Sequence, residues 1–187
     1  MLWAFTRAPP ATELPRGLMD TNSSLVAIAA FAIQTTMVFA GNSRLFGLLK
    51  PGSGWYTNVE MAERYASLVT PARYAFAIWG IIYTWEMVAM AYLVSAKEVA
   101  TAQGWNLSLW VAANGFQALW APLFATEKLG ASGVALSGIA ISLILLGNSM
   151  RAAAGLSYWL VAAPVWLHAG RHCQQIQTLR HPAHCTC

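Results

Sequence analysis

The chain has 187 residues, of which 57% are hydrophobic and only 10% charged, and its net charge is +4. An ordinary soluble domain carries about 25% charged residues, so with a mean hydropathy of +0.49 the composition excludes one and points to a membrane protein. The thinly spread positive charge, with no basic run interleaved with aromatics, gives no nucleic-acid signature, and the length suits one domain.

Residues 1–20 contain no apolar run long enough for a secretory signal and are expected to be a tail. Residues 21–170 then divide into five apolar stretches, at about 24–41, 72–95, 104–126, 129–150 and 153–170. About 20 residues of helix cross a bilayer core of about 30 Å. The expected fold class is therefore an all-α integral membrane protein, a bundle of five transmembrane helices with a long first loop. In the first stretch, which carries no charge, Ser24 is placed to cap a helix that Gly41-Asn42 would end. Gln34 and Thr35-Thr36 argue for packing against protein on that side.

The connection from Ser43 to Val69 is the longest. It holds Arg44, Lys50, Glu60, Glu63 and Arg64, the breaker run Pro51-Gly-Ser-Gly54, and the amphipathic pair Trp55-Tyr56, with a short helix expected over 59–68. Such a loop serves either as a functional lid or as a spacer. The second stretch starts at Pro71, which suits a first helical turn, with Arg73 at headgroup level. Phe76, Trp79, Gly80, Tyr83 and Met87 recur at helical spacing as one aromatic face. Glu86 is the only charge inside, so it should face protein or a watery cavity rather than lipid.

In the third stretch Trp110, Asn114, Gln117 and Ala121 share one stripe. Its two carboxamides read as inter-helix hydrogen bonds or as ligand contacts. Pro122 should kink this helix near its end. Glu127-Lys128 forms a turn into the fourth stretch, where Gly133/Ser137 and Gly138/Ser142 are small pairs for close helix approach. The fifth holds Tyr158, Trp159, Pro164, Trp166 and His168. Residues 171–187 are polar and hold all three cysteines and three of the four histidines. The spacing of His181, His184, Cys185 and Cys187 matches no standard zinc pattern, so the expectation is a polar tail without a metal site, starting with at most one more helical turn.

The Trp55-Tyr56 pair, Phe76-Ala-Ile-Trp79-Gly-Ile-Ile-Tyr83, Gln117-Ala-Leu-Trp120-Ala-Pro-Leu-Phe124 and Pro164-Val-Trp166, in this order and spacing, resemble the TspO/MBR family of tryptophan-rich sensory proteins and translocator-protein relatives. The run from Pro71 to Trp79 is similar to its tryptophan-rich branch. The resemblance implies a five-helix bundle, often a homodimer, with a pocket closed by the first loop for a porphyrin, a haem-type tetrapyrrole, or a sterol or lipid. By position it implies Trp55 and Tyr56 in the lid, and Phe76, Trp79, Tyr83, Gln117 and Trp120 lining or supporting the pocket, with Asn114 on the same stripe. Planar tetrapyrroles stack on aromatic faces, and carboxamides can bond their polar edges. The chain departs from the family's pattern in its first loop, in carrying Gln117 where an asparagine is usual, and after Gly170, where Arg171-His-Cys-Gln replaces a tryptophan, small residues and an asparagine.

The function expected is binding of a hydrophobic or tetrapyrrole ligand as a sensor, carrier or scavenger. The alternative is an accessory subunit of a larger respiratory or photosynthetic complex, in which His168 or Glu86 would be a chlorophyll ligand. No nucleophile–base pair, metal cluster or phosphate loop suggests an enzyme, and no catalytic residue is assigned. The expected location is multi-pass in a cell or organelle membrane, with the C-terminus on the cytoplasm-like side, where Lys and Arg are slightly more numerous.

Overall fold

The computed structural model describes residues 21–65, 77–95, 104–150 and 155–180, and those residues are helical apart from their connections. The elements are α1 (Thr21–Asn42), α2 (Asn58–Arg64), α3 (Ile78–Ser95), α4 (Leu107–Ala125), α5 (Leu129–Ser149) and α6 (Ala163–Arg180), the last entered through a π-helical turn at Tyr158–Ala162. Pro71, Arg73 and Phe76 lie outside the described residues.

Packing sets the order of the bundle. α4 packs most extensively on α5 and α1, α5 on α6, and α6 with its π-turn on α3. α3 returns to α1 only lightly. The ring therefore runs α1–α4–α5–α6–α3, with its thinnest seam between α3 and α1. Its core is formed by Ala27, Val38, Ile82, Leu93, Trp110, Trp120, Leu136, Ile139, Leu143, Leu146 and Val161.

Among the described residues three helices, α1, α3 and α5, are long and apolar enough to cross a membrane. α4 is shortened in apolar character by Asn114, Gln117 and Pro122, and α6 becomes polar in its second half. α6 runs past Gly170 to Arg180 and carries His172 into the interior, where it is fully buried. Ser24 does not cap α1, which is already helical at Thr21, and its side chain is buried.

Two glycines explain close approaches. A Cβ on Gly138 would stand 2.8 Å from the ring of Phe116 on α4, and one on Gly147 would stand 2.7 Å from Trp166 on α6. α5 thus takes an aromatic face from each neighbour, at one glycine the sequence marked and one it did not. The π-turn sits immediately before Pro164, and the amide of Ala163 reaches back five residues to the Tyr158 carbonyl. Proline cannot donate to a regular turn and its ring crowds the carbonyl four residues earlier, so the wider turn accommodates it.

Candidate functional site

The first loop is fastened at several points. Thr57 caps α2 in a capping box: the Glu60 amide donates to the Thr57 hydroxyl, and the Thr57 amide donates to the Glu60 carboxylate at 2.8 Å. Arg44 pairs with Glu60, Arg64 with Glu127 at 2.5 Å, and the Tyr65 hydroxyl donates to Glu127 at 3.0 Å. Met61 is buried beneath α2. Ahead of it, Arg44, Leu45 and Phe46 occupy the left-handed region in succession, with φ of 49°, 52° and 57°. Non-glycine residues hold that conformation at a cost of about 1 kcal/mol or more each, offset here by bonds from the Leu45 amide to Ala40 and from the Phe46 amide to the Ser43 hydroxyl.

The Trp55 indole N–H donates to the Gly41 carbonyl at 3.0 Å, and the Tyr56 amide donates to the Ala125 carbonyl at 2.8 Å. These carbonyls lie in the last turns of α1 and α4, where a helix has no partner of its own for them. Trp55 and Tyr56 therefore tie the loop to two helix ends. The Tyr56 ring itself lies under the Arg64 guanidinium, 5.0 Å from its centroid.

The Thr57 amide above all, helped by the Thr57 hydroxyl and the Arg44 guanidinium, holds the Glu60 carboxyl below its ordinary value of 4.5 against the opposing effect of burial. A carboxyl lowered by folding adds stability that is complete above its unfolded value and is lost as pH falls through its folded one. The loop fastening should thus be intact at neutral pH and loosen only as the pH falls below the ordinary carboxyl value. Amide exchange over residues 43–65 should rise there in the wild type, while Glu60→Gln should exchange faster already at neutral pH. Equal exchange in the two proteins at neutral pH would contradict this.

Beneath the loop is a cavity of about 270 Å³. Val38, Phe39 and Asn42 of α1 line it with Trp79, Gly80 and Tyr83 of α3 and Trp120 of α4, and Asn58 and Val59 of α2 form its roof. The Asn58 amide donates to the Asn42 side chain at 3.1 Å, closing the roof onto α1. Trp79 and Tyr83 are stacked, with centroids 5.9 Å apart. The buried Trp120 indole N–H has no hydrogen-bond partner among the described residues. Of the residues the sequence singled out, Trp79, Tyr83 and Trp120 meet at this cavity. Trp55 and Tyr56 fasten its cover rather than line it.

The two carboxamides separate in role. Asn114 donates to the Trp110 carbonyl of its own helix at 2.8 Å, while Gln117 donates to the Tyr83 hydroxyl at 3.2 Å and so braces α4 on α3. Neither is among the cavity-lining residues. Glu86 and His168 meet behind the cavity wall. Nδ1 of His168 is 2.6 Å from Oε1 of Glu86, and the two residues are 5% and 1% exposed. His172 stacks one turn further along α6, 4.8 Å from the His168 ring, and Trp79 packs on both imidazoles at 5.7 and 5.1 Å. His172 was missed from the sequence because its surroundings are polar. Its signal was the four-residue spacing from His168, which puts both on one helix face.

A family model described as TSPO-like protein matches residues 24–173. The chain belongs to the TSPO-like family. The match takes in α1 to α5, the first loop and α6 as far as Cys173, so the roofed cavity and the Glu86–His168–His172 column both lie inside the TSPO-like region. With its apolar helices, this makes the chain a membrane-embedded protein of the TspO kind. A search of the curated proteins and one of the solved structures each found no match.

Proposed function

We propose that this TSPO-like protein binds a flat hydrophobic ligand, a porphyrin-like tetrapyrrole or else a sterol or lipid, in the cavity under its first loop, and acts as a sensor, carrier or scavenger. The observation that carries the reading is the convergence of Trp79, Tyr83 and Trp120 on one roofed cavity. Aromatic faces suit a planar π-system, and the free Trp120 indole N–H offers a donor to a ligand's acceptor. The cavity of about 270 Å³ falls just below the range of about 300–1,000 Å³ usual for ligand sites. A whole macrocycle therefore requires the Asn58–Val59 roof to lift, whereas one edge of it fits with the roof closed.

The accessory-subunit reading draws no support from the described residues. Binding is tested with Trp79→Ala and Trp120→Ala, using protoporphyrin IX as probe and tryptophan quenching as readout. Each variant should bind at least about tenfold more weakly, the equivalent of one or two aromatic contacts, while circular dichroism shows the helices intact. Unchanged affinity in both variants would sink the assignment.

A further inference from the structure

Two hollows meet at one residue of α3. Gly80 stands in the wall of the roofed cavity, and it also borders a second, more open groove of about 580 Å³ on the outer face of the bundle. Ile81, Thr84, Trp85 and Val88 of α3 form that groove with Leu160 of the π-turn. Helical spacing explains the sharing: Trp79 and Tyr83 lie on the cavity side of α3, Ile81, Trp85 and Val88 lie on the groove side, and Gly80 falls between the two faces. Ile81 is 60% exposed on a helix apolar enough to sit in hydrocarbon.

Gly80 has no side chain to separate the hollows, and a Cβ added there would meet no atom within 4 Å. Opposite it on α1, Phe39 lines the same cavity and is 57% exposed. The cavity thus reaches the outer surface between Phe39 and Gly80. The roof is better secured. The Asn58 amide bonds to Asn42, Arg44 pairs with Glu60, Arg64 and Tyr65 hold Glu127, and Trp55 and Tyr56 bond to the ends of α1 and α4. Entry from above would break several of these bonds. Entry between α1 and α3 breaks none of them, and those two helices touch only lightly. Among the described residues no charged side chain lines either hollow, so an apolar molecule meets no change of surface in passing from one to the other.

We propose that the ligand enters the roofed cavity sideways from the bilayer, between Phe39 and Gly80, with the groove on α3 as its landing site and the roof closed. The groove's occupant is the same flat hydrophobic molecule, which displaces lipid chains there before one edge of it passes Gly80 toward Trp79 and Trp120. The part too large for the inner cavity then lies along the outer groove. The route rests on the ligand-binding reading above.

The experiment uses the intact chain in phosphatidylcholine vesicles, with protoporphyrin IX as probe and tryptophan quenching followed in time, so that association and release are measured separately. Gly80→Leu puts a side chain into the opening, where there is room for it and where leucine suits a helix better than glycine. A barrier on the route acts in both directions, so association and release should each slow by about tenfold while affinity changes by less than about threefold. Phe39→Ala, a truncation at an exposed position, widens the opening from the other side and should speed both by about threefold; it also decides the question should Gly80→Leu not fold. Unchanged rates in these variants, with the wild type binding, overturn the route and leave the ligand reading standing. Slower association with faster release in Gly80→Leu also overturns it, because the new side chain would then be filling the site rather than blocking its entrance. So does faster entry in Glu60→Gln, which loosens the roof, together with no slowing in Gly80→Leu. If the wild type binds no porphyrin, the ligand reading falls and the route falls with it.

Discussion

His168→Ala lowers the unfolding free energy by about 3–5 kcal/mol, the combined scale of leaving a buried hydrogen-bonding group unpaired and of opening a cavity in the core. The loss has two parts. The Glu86 side chain keeps its burial but loses the His168 partner of Oε1, and the missing ring leaves a void between Trp79, Tyr83 and His172. α3 otherwise meets α6 and its π-turn through a modest interface, so the pair carries a large share of what holds α3 in the ring. Replacing both residues with leucine should recover much of the loss, because a well-packed apolar pair often equals or exceeds a buried ionic one. Reversible unfolding in mixed detergents measures all three proteins. A single-variant loss below about 1 kcal/mol would assign α3's attachment to packing instead.

Trp110→Ala is expected to cost about as much, roughly 3–5 kcal/mol, for a different reason. Trp110 is 2% exposed, stacks on Phe31 of α1 at 6.0 Å and lies 5.2 Å from the Trp105 ring. Its indole N–H donates to the Ala27 carbonyl at 3.1 Å. One side chain therefore fills the α1–α4 interface and bonds across it. Trp110→Phe separates the two contributions: it keeps most of the ring contact and loses one hydrogen bond, worth about 1 kcal/mol. The same unfolding measurement checks both, and near-equal losses for alanine and phenylalanine would show that the hydrogen bond, rather than the filled volume, dominates.

Much of this arrangement was legible in the amino-acid sequence because hydrocarbon imposes strict terms. The apolar stretches set the long helices, and a lone Glu86 in such a stretch had to face protein. What the sequence could not supply was its partner, since His168 lies 82 residues away and no local pattern joins them. His172 escaped for the opposite reason. Composition changes at Arg171, and a polar run reads as the end of a span, yet one face of α6 remains inside while the other carries the polarity. Trp55 and Tyr56 lie in the loop over the cavity and bond to two helix ends, and spacing cannot tell a ring that touches a ligand from an indole N–H that satisfies a helix end. Gln117 shows the same limit: both readings of its carboxamide fit the stripe, and only the position of Tyr83 distinguishes them.

The thin seam between α1 and α3 has a consequence for supply. The cavity lies on that seam, and two of its lining residues, Phe39 and Gly80, reach the outer surface of helices suited to hydrocarbon. A hydrophobic ligand of the kind proposed above would reach that rim already dissolved in the bilayer, so the concentration the cavity experiences would be set by partitioning into lipid. Apparent affinity would then scale with the amount of membrane in which the protein is assayed, and the bilayer would be the reservoir that fills it.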